Sequence, residues 1–315
     1  MIDFNAPIKE IIAEIWKKRN IDGLESCASF ITEHIQAVSS QKKLDSIPAL
    51  NSWVLLFDEF LIWTINLAAS LSPDPDGKEP FDAKATFYAM LTGTIVAHLF
   101  SIRQLVVLGF DLSAKQVLRS CCEHLDLLNL LILRPELGTE FNGTADPTNA
   151  NAFWNKYLRR GKSRKYLHDL IAAEMATNMA DIAPLEVWKE FRKKEDTVLS
   201  MAAHPSLIGC LTTYAAFKDA EPYRPGYLGV QSPASIRTLK YACHSVWEMS
   251  SLAAFPFGGQ HFSRTNPPIL KFDENDPLHL YIKWGRSILT ALVVFITLHE
   301  HSHPELQVSK TNIRD

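Results

Sequence analysis

LVVLGFDLSAKQVLRSCCEHLDLLNLLIL, residues 105–133, closes one long apolar segment, turns at Gly109 and opens a second. Beyond the turn Lys115, Arg119, Glu123 and Asp126 recur at spacings of four, four and three, with Val117, Cys121, His124 and Leu128 on an adjacent, mostly apolar stripe. Residues three or four apart share one face of a helix, whereas a strand alternates at every second residue, so the stretch reads as helical. With the apolar residues upstream it predicts two long helices, 83–108 and 113–133, joined at Gly109.

Outward from this hairpin the same period recurs. Ile8, Ile11, Ile12, Ile15 and Trp16 form a stripe that starts behind Asn5 and Pro7 and stops at Gly23. Ser232-Pro233 and Asp276-Pro277 repeat that start signal, because proline's missing N–H costs nothing in a first turn. Further helices are expected over 24–39, 51–71, 150–177 with a break near Gly161, 184–203 and 206–218. Loops fall at 72–80, 138–149, 219–233 and 256–268, where proline, glycine and small polar residues cluster. No alternating pattern flanked by hairpin turns and no fixed-period repeat is present. The expected fold is therefore all-α, a multi-helix bundle built around the long central hairpin. The loop near 219–233 divides it into a main helical domain, 1–220, and a C-terminal helical pair, 221–315. That pair is apolar enough to pack on the main domain or to form the interface of a homo-oligomer.

With 47% hydrophobic and 21% charged residues the chain has the composition of a globular protein, and its net charge of -3 excludes a surface that is basic throughout. Five cysteines without a CxxC pair fit neither a disulfide framework nor a thiolate zinc site, which points to a reducing compartment. The amino terminus is amphipathic and unlike a signal peptide. Residues 85–102 are uncharged but include Thr92, Gly93, Thr94, His98 and Ser101, and the 289–298 run is short. Both read as buried helices, giving the expectation of a cytoplasmic protein with no membrane contact.

The leucine-rich turn ending at Gly109, Ala114, the Arg119-x-x-x-Glu123 pair and a helix ending in His204-Pro205-Ser206 resemble, over about 87–215, a family of uncharacterised bacterial helical proteins. These are similar to HEPN-like and abortive-infection proteins. The resemblance implies a protein that acts on or binds RNA, in phage defence or a toxin-like role. It also implies a ribonuclease site in which an arginine is followed four to six residues later by a histidine, a spacing met by Arg119 and His124. Five residues of helix rotate a side chain by roughly 140°, so a second version of the site combines Arg119 and Glu123 with His204. In either, cleavage would need no metal: histidine moves the proton, Arg119 stabilises the phosphorane charge and Glu123 orients the arginine. As charges on a helix dominated by leucine, Arg119 and Glu123 are also the expected polar centre of the bundle.

Two further motifs carry chemistry. Lys156, Arg159, Arg160, Lys162, Arg164 and Lys165, with Tyr157 and Tyr166 interleaved, have no acid among them. They read as a solvated basic turn or as a surface where phosphates meet cations and bases meet aromatic rings. His299-Glu300-x-x-His303 matches the spacing of a zinc hydrolase, although Pro304 draws His303 away from helical geometry. No cofactor is expected, since Gly258-Gly259 lacks the lysine and helix of a phosphate loop and Cys121 and Cys122 read as core thiols. The alternatives to an RNA function are a non-catalytic helical interaction module and, more remotely, a hydrolase using the terminal histidines.

Overall fold

A computed structural model describes residues 6–18, 48–71, 83–177, 183–204, 231, 233–252, 273, 275–303 and 306. Among them there is no strand, and the chain is an all-α multi-helix bundle. The helices are α1 (Ile8–Lys18), α2 (Pro48–Leu71), α3 (Ala83–Val107), α4 (Asp111–Leu133), α5 (Gly138–Asn142), α6 (Pro147–Phe153), α7 (Lys162–Thr177), α8 (Ala183–Ala203), α9 (Pro233–Leu252) and α10 (Pro277–His299). The helices expected at 24–39 and 206–218, the stop at Gly23 and the loops at 72–80 and 256–268 lie outside the described residues.

The central hairpin forms as the sequence predicts. Gly109 reverses the chain at φ 80°, a conformation that a Cβ would strain, and α3 and α4 then run back to back. Tyr88 donates its hydroxyl proton to the Leu131 carbonyl at 3.0 Å, and residues 125–133 of α4 are buried on every side. Asp276 caps α10 by accepting from the Leu278 amide at 2.8 Å, with Pro277 in the first turn.

Around the hairpin, α2 is the central helix: it packs on α1, α3, α9 and α10, and Trp53, Phe57, Phe60 and Trp63 are all buried on it. The α2–α10 approach is close because position 285 is glycine; a Cβ there would lie 2.7 Å from Trp63 Cδ1. α9 lies against α2 and α4, so both C-terminal helices share one core with the rest of the described chain. The segment after α10 belongs to that core as well. Glu300 pairs with Lys240, His303 packs edge-on against Phe295 at 4.9 Å, and the carbonyl of buried Leu306 accepts from the Trp53 indole at 3.3 Å.

Two expectations need correction. Much of 138–149 is not open loop: α5, a 3₁₀ turn at Gly143–Ala145 and the start of α6 occupy it, with Asp146 accepting from the Thr148 and Asn149 amides ahead of Pro147. The expectation of a cytoplasmic chain without membrane contact is overturned. Ala49–Leu71, Phe87–Val107 and Pro277–His299 are each long and apolar enough to cross a bilayer, by length and composition. The short apolar run at 289–298 sits inside a helix of 23 residues. Span length is set by that helix rather than by the uninterrupted apolar run within it.

Candidate functional site

The bundle's polar centre lies where α4, α7, α8 and α9 meet: Asp126 comes from α4, and at helical spacing Arg164 and His168 come from α7, Arg192 and Asp196 from α8, and Tyr241, Ser245 and Glu248 from α9. Arg192 is buried and forms ion pairs with Glu248 and, at 3.2 Å, with Asp126. Arg164 donates to the second oxygen of Asp126 at 2.6 Å and also pairs with Asp196, which accepts from the Tyr241 hydroxyl at 3.1 Å. His168 Nε2 lies 3.3 Å from Glu248. Burial opposes ionisation of Glu248, but Arg192, the His168 hydrogen bond and Arg164 outweigh it and hold the carboxyl down to about 2.

Above this cluster opens a cavity of about 880 Å³, within the size range of small-molecule pockets. Arg164, Arg192, Asp126, His168 and Cys122 form its floor, and Trp154, Leu158 and Leu199 supply apolar wall. Arg119, Arg159, Arg160, Lys165, Lys189 and Lys193 stand around its mouth. In all, eight lysines and arginines line it against four aspartates and glutamates. Several cations are already neutralised, by Arg119–Glu123, Lys165–Asp169 and Lys189–Glu186 contacts. Arg159, Arg160 and Lys193 have no carboxylate partner among the described residues. That surplus of positive charge, in a concave site, favours an anion.

The local chain explains the shape of the wall. After α6 the helix widens into a π-turn at Trp154–Leu158, and then Arg160 (φ 61°) and Gly161 (φ 68°) both take the left-handed conformation before α7 begins. Asn155 braces the reversal: Arg159 donates to its side-chain oxygen at 2.9 Å and Lys162 to its carbonyl at 2.8 Å. The break that the sequence predicts near Gly161 is thus the feature that folds the basic run around the cavity.

The structure divides the residues singled out from sequence. Arg119 and Glu123 do line the cavity, but their side chains are 34% and 44% exposed and 3.6 Å apart. They are not the polar centre; such a pair couples by only about 0.2–1 kcal/mol, and the buried role belongs to Arg192, Arg164, Asp126 and Glu248. His124 points elsewhere, its Nδ1 2.8 Å from the Ser120 carbonyl and its ring 5.0 Å from His98 on α3. His204 is exposed at the end of α8 and is not among the lining residues. Among the described residues, the imidazole that lines the cavity is that of His168.

The basic run also splits. Lys156 pairs with Glu140 at 3.1 Å, and Tyr157 donates to the same carboxylate. Arg164 turns inward, while Arg159, Arg160 and Lys165 reach the cavity. Tyr166 faces Arg134, 5.7 Å from its ring centre, so the aromatic side chain in the wall is Trp154.

At the carboxy end Glu300 is held by Lys240, and among the described residues no group of three or more His, Cys, Asp or Glu side chains could hold a metal ion. Cys121, Cys122 and Cys243 are buried with their thiols pushed up by that burial, the reverse of what a nucleophile needs.

Fold and cavity together define an all-α protein with a cation-lined pocket resting on a buried ion cluster. Comparisons with family models, with curated proteins and with solved structures find no match.

Proposed function

We propose that this protein binds RNA, holding an unpaired stretch of the strand across the cationic cavity between α4, α7 and α8. The observation that carries the proposal is the convergence of Arg159, Arg160 and Lys193, none with a carboxylate partner among the described residues, beside the exposed Trp154. Phosphates would displace counterions at these cations, and the apolar wall gives the attached bases a surface out of water. The resemblance to HEPN-like proteins supports the same reading. Binding is favoured over cleavage, because neither His124 nor His204 lines the cavity beside Arg119. If a proton were transferred there, His168 is the group in place, although Glu248 occupies its Nε2.

A second reading, a helical interaction module, is favoured by one observation: Trp284, Val294 and Leu298 are exposed along α10, itself of span length.

The binding proposal is tested by titrating a single-stranded RNA against the protein over a range of salt. Arg160→Gly suits its left-handed position, and combined with Arg159→Ala and Lys193→Ala it removes three cations without touching the buried cluster. For three lost phosphate contacts the slope of log affinity against log salt is expected to fall by about two, at roughly 0.7 per contact on a single strand. An unchanged slope and affinity would assign these side chains to solvation. Arg164 is excluded from the set, since its loss would damage the fold rather than the surface.

A further inference from the structure

We infer that Trp154 is a stacking platform for an unpaired nucleobase, so that the cavity selects single-stranded over duplex RNA. The inference rests on the RNA-binding reading and adds to it the part of the ligand that is not phosphate.

Four observations converge on this side chain. Trp154 is 39% exposed although it is one of the largest apolar residues, and it lines a cavity rather than an open surface. Leu158 extends the same wall and Leu199 lines the cavity from α8, so a flat apolar group entering there leaves water on more than one side. The Arg159 guanidinium lies over the indole, 6.0 Å from its centroid, an arrangement that prolongs a stack and brings a cation to the linkage next to a stacked base. The chain that carries the ring is also braced, because Trp154 opens a π-turn that Asn155 ties to Arg159 and Lys162 on the far side of the reversal.

The chemistry narrows the occupant. Arg160 and Lys193 ask for negative charge within the same cavity as an aromatic face, which an unpaired nucleotide supplies in one unit. In a duplex the faces of the bases are already stacked on one another and only edges and backbone are offered, so the indole gains nothing from it. Because every base has a π-face, the platform tolerates sequence.

The test compares the full-length parent, Trp154→Ala, Trp154→Phe and the three-cation variant. The probes are a fluorescently labelled ten-nucleotide oligouridylate and an RNA duplex of equal length, with thermal melts reporting folding. Trp154→Ala is expected to weaken single-strand binding about 5- to 150-fold with the salt slope unchanged. Trp154→Phe, which keeps a ring, should retain most of the affinity, and duplex binding should not respond to either change. The inference is overturned if Trp154→Ala binds the single strand like the parent, or if both probes weaken alike. Should the alanine variant melt early, the phenylalanine variant carries the comparison, and single-strand affinity lost in that folded variant would overturn the inference too. Loss of affinity in the cation variant alone would leave the phosphate reading standing and remove the stacking one, whereas no change in any variant would remove both.

Discussion

Arg192→Ala is expected to destabilise the protein by about 3–5 kcal/mol, because it strands the Glu248 carboxylate in a site nearly closed to water and takes from Asp126 one of its two guanidinium partners. The loss should not be additive. Removing Arg192 and Glu248 together leaves no uncompensated charge between them, so the double variant should be more stable than the two single losses summed. The cluster also sets a pH dependence. The folded Glu248 carboxyl is depressed from 4.5 to about 2, so its contribution is fully present above 4.5 and is lost as pH falls from there towards 2. Denaturant melts of the parent and the three variants at neutral and acid pH read out both effects. A single Arg192→Ala loss below about 1 kcal/mol would mean that the cluster is wetter than its geometry indicates.

Truncation after Leu298 is expected to cost at least about 3 kcal/mol, a second large effect with a different cause. Burying one leucine side chain is worth roughly 1.5–3 kcal/mol, and Leu306 is 2% exposed. Its loss also leaves the buried Trp53 indole without the Leu306 carbonyl, a penalty of about 1–3 kcal/mol, and frees Lys240 from Glu300. The terminal histidine motif is thus explained by packing: His303 is buried against Phe295. Glu300→Ala, which removes only a partly exposed ion pair, should cost far less than the truncation. A truncated protein that melts like the parent would detach this segment from the core.

The helical period was enough to expose the hairpin, the start of α10 and the interruption at Gly161, because each depends on local steric rules: a left-handed glycine, a capped proline, a change of face. The same rules could have extended the structured chain at Asp146-Pro147, which carries the signal used at Asp276-Pro277. The site was harder to see. Arg192 begins the run Arg192-Lys193-Lys194, and only burial distinguishes the first, 2% exposed, from the two solvated lysines after it. Glu248 shares its helical face with Tyr241, His244 and Ser245, a mixed polar surface that does not by itself announce a buried carboxylate. Its partner lies 56 residues upstream on another helix, a distance no local spacing reports. Arg119 and Glu123 are legible because their partnership is local, and local partnership is the common property of exposed helix pairs. The span-length helix α3 is hard to read for a related reason: polar residues such as Thr92 and Ser101 interrupt the run in sequence, while in the helix their hydroxyls bond back to carbonyls one turn earlier.

Photo-crosslinking of a single-stranded RNA that carries 4-thiouridine at each position in turn, followed by peptide mapping, locates where on the protein the strand lies. Cross-links are expected within Trp154–Gly161 and Lys189–Ser200, the two walls of the cavity, and should disappear when Arg159, Arg160 and Lys193 are neutralised together. Cross-links confined to other surfaces, such as the exposed stripe of α10, would contradict RNA binding at the cavity.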